Sequence, residues 1–281
     1  MDGLMSIQID GGITLNVDPG YYLQEPLSGL DIPPKRTTSF NYSGRDGGLI
    51  PKQLYAMRPI TVNGRIYGDS SASYAQKRLA LLAALSGKVP VTLTIVTYDG
   101  RSYEIEASVI DVQADIIDIK QMCVFKIEFL APDPLIYDLT DGASFEANIY
   151  KAIGGGYEFP YVLPVEWEAG GVPTNIINSG EATVYPTITF TGGTGENPIV
   201  TNTDTDEFIQ VNVNISPGDV LVIDMKNRTV MLNGGNIRSL LEDGSSFWGL
   251  EPGGNLIVLE TDNGGDDLSG VVEWRPGYLG I

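Results

Sequence analysis

The eight residues Met122–Phe129, MCVFKIEF, place an apolar side chain at every second position: Cys123, Phe125, Ile127 and Phe129. Successive side chains of a strand point to opposite faces, so this spacing predicts a β-strand with those four residues in a core. Lys126 and Glu128 fall on the other face. Cys123 is then a small core hydrophobe. The alternative, a reactive thiol, would need a basic partner, and none is adjacent in sequence.

Other alternating runs extend this pattern along the chain, and 34 Gly and 17 Pro residues interrupt them. This punctuation is typical of antiparallel β structure, so the predicted fold class is mainly β. Two hairpin turns are predicted, at Tyr98–Arg101 and at Met225–Arg228, with Asn227 as the left-handed residue of the second. The alternating runs are Val91–Val96, Tyr103–Val109, Phe208–Val213 and Val220–Asp224.

One segment, Ser71–Ser86, has the period of a helix instead of a strand. Apolar residues recur at i, i+4, i+7 and i+10, which predicts one apolar stripe on an α-helix over 71–86. Gly87 and Pro90 supply the stop signal. The predicted stripe consists of Ala75, Leu79, Leu82 and Leu85, and the N-cap candidates are Asp69, Ser70, Ser71 and Ser73.

With 281 residues the chain is longer than one core usually organises, so two domains are predicted. The first, residues 1–137, is a β domain that carries the helix. Residues 138–175 form a connector with a triple glycine, Gly154–Gly156, and six aromatic residues. That aromatic content predicts order, with the rings packed on the domain surfaces. The second domain is residues 176–281.

The composition excludes several classes of function. A formal net charge of −19 repels nucleic-acid phosphates, so no direct nucleic-acid recognition is predicted. The charge serves either ordinary solubility or a surface past which DNA slides. Histidine is absent, which removes the commonest general base, and no enzyme activity is predicted. No signal peptide or membrane insertion is expected, and a single cysteine fits folding in a reducing cytoplasm.

No residue is predicted to be catalytic, to bind a cofactor or to hold a metal. Two acidic clusters, Thr203–Glu207 and Asp262–Asp267, have the oxygen ligands that calcium prefers. Neither follows the order of an EF-hand loop, and both fall where a turn between strands is expected. The interpretation as solvated turns is therefore favoured over calcium sites.

The stretch Ser246–Asn255, SFWGLEPGGN, leaves two interpretations open. Phe247 and Leu250 are spaced to enter a core before the Pro-Gly-Gly turn, which would make the stretch the corner of a β-sandwich. Trp248 is the residue with a claim to a ligand, because an aromatic ring at a strand edge can stack on a sugar. The structural corner is favoured.

The chain resembles the siphovirus distal tail proteins (Dit). No single motif is specific, and the resemblance rests on the order and spacing of two series of segments across almost the whole chain. In the first half they are Arg45–Gly48, Arg58–Gly68, the helix with Arg78 and Leu85, Phe129–Tyr137 and Gly155–Pro164. In the second half they are Asn178–Pro186, Asn197–Ile199, Gly218–Asp224, Arg228–Gly234, Leu250–Asn255 and Val272–Arg275.

The resemblance implies an N-terminal domain that assembles into a hexameric ring and a C-terminal galectin-like β-sandwich at its periphery. Such a ring connects the tail tube to the tail tip or baseplate and anchors receptor-binding proteins. The resemblance implies no catalytic residue and no cofactor. It also implies that the protein is part of the virion and is made in the host bacterial cytoplasm. Two other hypotheses stay open: a carbohydrate-binding adhesion module that uses the C-terminal sandwich, and a hydrolase that uses paired carboxylates.

Overall fold

The computed structural model describes residues 5–10, 12–118, 122–139, 144–151, 173–263 and 266–281. The chain forms two compact units, Met1–Asp141 together with Tyr278–Ile281, and Gly142–Gly277. The boundary falls inside the predicted connector 138–175, and the last four residues belong to the first unit. The triple glycine and most of the connector's aromatic residues lie outside the described residues.

The first unit is built on one antiparallel sheet in the order β2-β1-β9-β10-β11-β8-β3, with β12 beside β10. Its elements are β1 (Ser6–Ile9), β2 (Ile13–Leu15), β3 (Tyr21–Ser28), β4 (Lys35–Arg36), β5 (Phe40–Asn41), β6 (Gly48–Leu49), β7 (Leu54–Tyr55), β8 (Arg58–Tyr67), α1 (Ser71–Ala84), β9 (Val91–Val96), β10 (Ser102–Asp118), β11 (Met122–Ala131) and β12 (Ile136–Asp138). The pairs β4–β7 and β5–β6 stand apart as two short ladders.

The long strand β10 holds the two halves of this sheet together. Its first residues, Ser102–Ala107, pair with β9, and its later residues pair with β11. A register shift in the pairing with β11, between Val109 and Asp111, follows closely after this change of partner, and a bulge of this kind bends a strand and increases its twist. The predicted hairpin between β9 and β10 is confirmed, with Gly100 at a φ of +84°.

The prediction for β11 is confirmed. Cys123, Phe125 and Ile127 are fully buried, and Phe129 is 2% exposed. Phe125 lies opposite Gly64 of β8, where an added Cβ would sit 2.2 Å from the ring. The sheet therefore accepts the large ring only because its cross-strand neighbour has no side chain.

The helix is confirmed, but its predicted apolar stripe is only partly buried. Ser70 caps α1 by accepting a hydrogen bond from the Ser73 N–H. The buried residues are Tyr74, Leu81 and the C-cap Leu85, whereas Ala75 and Leu79 are exposed. The core side is set by Tyr74, whose ring is far larger than an alanine methyl. At 14 residues α1 is too short to span a bilayer, and no helix of the described residues qualifies as a membrane span.

The second unit contains a six-stranded sheet, β13-β24-β15-β20-β21-β22, a four-stranded sheet, β14-β23-β17-β18, and the short pair β16–β19. Both larger sheets carry alternating rows of buried residues, as the facing layers of a β-sandwich do. The elements are β13 (Phe145–Tyr150), β14 (Thr174–Asn178), β15 (Thr187–Gly192), β16 (Gly195–Glu196), β17 (Ile199–Asn202), β18 (Glu207–Gln210), β19 (Asn214–Ile215), β20 (Leu221–Asp224), β21 (Thr229–Leu232), β22 (Gly235–Asn236), a 3₁₀ turn (Arg238–Leu240), β23 (Gly253–Glu260) and β24 (Ser269–Trp274). The last strand, β25 (Gly277–Tyr278), pairs with β12.

One local prediction in this unit is corrected, and one strand lies where none was assigned from the sequence. Strand β13 lies in the segment predicted to be an ordered connector, and it pairs with β24 along all six residues. Only its Ile149 is buried, so the alternation that reveals a strand is missing from its sequence. In the turn after β20 the left-handed residue is Arg228, with a φ of +55°, and not Asn227. Asn227 instead donates its backbone and side-chain N–H groups to the Asp224 carboxylate, at 2.8 and 2.7 Å.

Candidate assembly surface

Trp248, the residue with a claim to a sugar ligand, is 1% exposed. The next two residues are held by buried amides: Asn202 donates to the Gly249 carbonyl at 3.3 Å and Asn178 to the Leu250 carbonyl at 3.0 Å. A ring enclosed in this way offers no face to a ligand, so the sugar-stacking interpretation of Trp248 is wrong. Leu250 is buried as predicted, but Phe247 is only half-buried and lies under the Arg238 guanidinium.

Asn255 explains why this stretch turns where it does. Its side chain accepts from the Glu251 N–H at 2.9 Å and donates to the Glu251 carbonyl at 2.9 Å. Asn178, Asn202 and Asn255 are all essentially fully buried, and each replaces water for backbone groups that leave the regular ladders. Sequence reasoning missed this role, because an asparagine's backbone partners are fixed by the fold and not by sequence spacing.

The first acidic cluster forms a turn, and the described residues of the second lie between β23 and β24. Thr203–Glu207 joins β17 to β18, and the Asp204 carboxylate accepts from the Leu256 N–H at 2.7 Å. In the second cluster Asp266 accepts from the Glu196 N–H at 2.8 Å. Asp267 accepts from the Thr194 N–H at 2.7 Å, and these Thr194 hydrogen bonds lower the pKa of Asp267.

A buried ammonium group also lies beside the second cluster. Lys151 is 7% exposed and donates to the Asn263 carbonyl at 3.1 Å. Within the described residues no group of acidic or sulfur-bearing side chains could hold a metal ion. These carboxylates fasten backbone segments together, which is a structural use of the same oxygen atoms that a cation would need.

Cys123 is a core residue, as predicted. It is fully buried, and desolvation raises the pKa of its thiol against the opposing effects of Tyr74 and Arg78. A raised pKa keeps the thiol protonated at neutral pH, so it is a poor nucleophile. We assign no catalytic or metal-binding site to these groups. The features that bear on function are exposed apolar and basic surfaces of the first unit.

A long excursion between β3 and β8, which we call the arm (residues 34–57), is exposed over almost its whole length. Its two short ladders, β4–β7 and β5–β6, pair the chain with itself, and Phe40 lies opposite Leu49. Monomeric proteins rarely expose clustered apolar side chains of this size. Five apolar side chains of the arm are more than half exposed: Phe40, Leu49, Ile50, Leu54 and Met57.

The arm also differs from the rest of the chain in charge. Four cationic residues, Lys35, Arg36, Arg45 and Lys52, accompany a single carboxylate, Asp46. The whole chain, in contrast, has 36 acidic residues against 17 basic ones. The arm is thus an apolar, basic projection on a strongly acidic protein.

The outer side of α1 is a second uncovered apolar surface. Leu79 is 64% exposed at its centre, and the other exposed residues of the helix are small or uncharged. The two charged residues of the helix point elsewhere: Lys77 donates to the Tyr67 carbonyl at 3.2 Å and Arg78 to the Ala114 carbonyl at 3.3 Å. A helix face in contact with water normally carries such charges.

Comparisons with known proteins assign both units. Residues 20–131 match the family described as "Phage tail protein RIFT-related domain", and residues 179–278 match "Siphovirus-type tail component, C-terminal domain". The distal tail protein of Bacillus phage SPP1 is 25% identical over 251 residues, which cover 86% of this chain and 87% of that protein.

The chain belongs to the siphovirus distal tail protein family.

Solved structures agree with this assignment at the level of fold. The crystal structure of the SPP1 distal tail protein, described as a paradigm of the hub adsorption apparatus in phages that infect Gram-positive bacteria, covers 96% of this chain and 98% of its own, with a TM-score of 0.71 and 17% identity. A chain of the phage P2 baseplate in its calcium-activated conformation covers 97% of this chain and 98% of its own, with a TM-score of 0.50 and 11% identity. This distal tail protein is accordingly a structural component of the virion tail.

Proposed function

We propose that six copies of this chain form a closed ring that connects the tail tube to the tail tip or baseplate and anchors receptor-binding proteins. Family membership and the hub described for the SPP1 protein support the location. We assign no catalytic reaction to the chain. It is made in the host bacterial cytoplasm, which agrees with a single cysteine that is buried as a free thiol.

The difference in surface composition between the two units supports this proposal: exposed apolar side chains concentrate in the first unit and net negative charge in the second. Among the described residues, 14 large apolar side chains are more than half exposed, and 12 of them lie in the first unit. Residues 1–141 contain 17 acidic and 12 basic residues, whereas residues 142–281 contain 19 acidic and 5 basic residues. The first unit therefore has the surface of a subunit within an assembly, and the second has the surface of a domain that stays in water.

The arm favours contact with another copy of the same chain. Its positive charge complements the acidic remainder of a neighbouring copy, and its apolar side chains need cover. A projection that docks on a different surface of an identical neighbour makes a head-to-tail contact, and such contacts close into rings when the rotation allows it. Closure also leaves no arm and no receiving surface unused.

Imaging and mass measurement of the purified protein test this proposal. We expect particles with a central hole and six-fold symmetry, and a species of six times the 30.3 kDa chain mass in light scattering. Mixing with tail tube protein should increase the ring fraction, because binding stabilises the assembled form. A protein that stays monomeric at every concentration, even with tube protein present, would overturn the proposal.

A further inference from the structure

Arg58, the first residue of β8, is a fully buried cation. Its acceptors are four backbone carbonyls: Pro134 at 2.8 Å, Gly29 at 2.7 Å, Asp31 at 2.5 Å and Leu279 at 2.8 Å. Burial lowers the pKa of its guanidinium, and the Asp133 and Asp31 carboxylates oppose this effect. Arginine remains charged in proteins, so the planar fork of N–H donors is available to join the three segments that carry these carbonyls.

These acceptors place Arg58 at a junction of three parts of the first unit. Gly29 and Asp31 precede the arm and Arg58 follows it, so the side chain ties the two ends of the arm together. The bond to Leu279 adds the end of the chain, 221 residues away in sequence. Arg58 is thus bonded at once to the root of the arm and to the C-terminal tail.

The tail, Tyr278–Ile281, has further contacts at the same place. The Ile281 N–H donates to the Leu30 carbonyl at 3.0 Å, one residue before Asp31. Tyr278 meets Tyr103 edge to face at 5.8 Å between ring centroids, and both Tyr278 and Ile281 pack against the core of the first unit. A Cβ on Gly280 would lie only 3.3 Å from the Leu30 oxygen, so the tail fits closely.

From this geometry we infer that the C-terminal tail is a tie that fixes the root of the arm through Arg58, and thereby prepares the arm for assembly. The assembly role rests on the ring proposed above, whereas the mechanical link does not. Without the tail, the Nη2 donor of Arg58 and the Leu30 carbonyl lose their partners inside the protein. Unmet buried polar groups are costly, so the segment that carries them opens more often.

Hydrogen exchange compares wild type with three variants and tests the link, at a dilution where wild type is monomeric. The variants are a chain ending at Gly277, Gly280→Val, whose branched side chain crowds the Leu30 carbonyl without removing the tail, and Arg58→Lys, whose point charge cannot reach four carbonyls. We expect exchange at the arm root, β4 and β7, to become at least about tenfold faster in each, which corresponds to one lost buried hydrogen bond. Arg65→Lys, at an exposed position of the same strand, is the matched control and should leave the root unchanged.

Exchange at the core strand β11, followed in the same experiment, separates a loosened root from unfolding of the first unit. Cys123, Phe125 and Ile127 of β11 are fully buried, so exchange along this strand should stay as in wild type if the first unit keeps its fold. Unchanged root exchange in the truncated chain and in Gly280→Val would overturn the inference. Faster exchange with full ring formation would refute the role in assembly. If wild type forms no ring at all, the proposed function is wrong. The link between the tail and the arm root is then still decided by the exchange data alone.

Discussion

Replacing Phe40 and Leu49 together by serine removes the cross-strand apolar pair at the end of the arm. Phe40 is 58% exposed and Leu49 is 54% exposed in the isolated chain. Full burial of such side chains contributes about 1.5–3 kcal/mol each, so covering the exposed parts contributes about 2–3 kcal/mol for the pair. This predicts an association constant per contact that is roughly 30- to 150-fold weaker.

The same double substitution should hardly affect the fold of the monomer. Both side chains already lie mostly in water, and exposed substitutions usually change the free energy of unfolding by less than about 0.5 kcal/mol. Thermal unfolding of dilute protein measures the change in the stability of the monomer. Sedimentation velocity over a concentration series measures the association of subunits. The expected result is a wild-type melting curve together with a ring that forms only at much higher protein concentration.

The matched control is Ile177→Ser in the second unit, because Ile177 is 61% exposed, slightly more than either arm residue. If apolar exposure in the first unit is what drives assembly, Ile177→Ser should assemble like wild type. The reasoning is refuted if the arm variant forms rings at the wild-type concentration, or if both variants weaken assembly equally.

Three further predictions concern stability. Trp248→Ala should lower the free energy of unfolding of the second unit by about 3–5 kcal/mol, because it empties a fully buried site. The change should appear as a lower melting temperature, and a melting point within a degree of wild type would contradict the buried position. Gly64→Ala should destabilise the first unit by at least about 1–3 kcal/mol in urea unfolding, since its Cβ would overlap the Phe125 ring, and a neutral result would mean that the ring moves freely. Asn233→Ala should raise the pKa of Asp219, which the Asn233 and Ser216 hydrogen bonds now lower. A lowered carboxyl pKa stabilises the fold above its unfolded value near 4 and loses that effect as pH falls through the folded value, so an NMR titration of Asp219 unchanged in the variant would exclude this cause.

The sequence predicts those parts of the fold whose signal is local. In β11 every second residue is apolar, and alternate burial is the only strand arrangement that this spacing allows. The Asp99-Gly100 turn is equally local, because the backbone conformation of two residues determines it. Strand β13 was missed for the same reason, since its pairing with β24 is specified by a partner more than a hundred residues away.

The helix shows where local periodicity stops being informative. The stripe through Ala75 and Leu79 is as apolar as the stripe through Tyr74 and Leu81, and spacing alone cannot tell which faces the core. The structure buries Tyr74 and Leu81 and exposes Ala75 and Leu79. A helix with two apolar sides is expected when one side packs in its own subunit and the other packs against a neighbour.

Charge adds a constraint on how a ring of these subunits could hold together. In the proposed ring the second units, each with 14 more acidic than basic residues, repel one another at neutral pH and contribute no net electrostatic attraction. The attraction must then come from the first unit, where the arm supplies basic and apolar groups and the net charge is smaller. Added salt screens both the repulsion between second units and the attraction of the arm, while it leaves apolar burial in place. A ring held mainly by Phe40, Leu49 and their neighbours should therefore persist at high ionic strength, whereas a ring held mainly by the four cationic residues of the arm should dissociate.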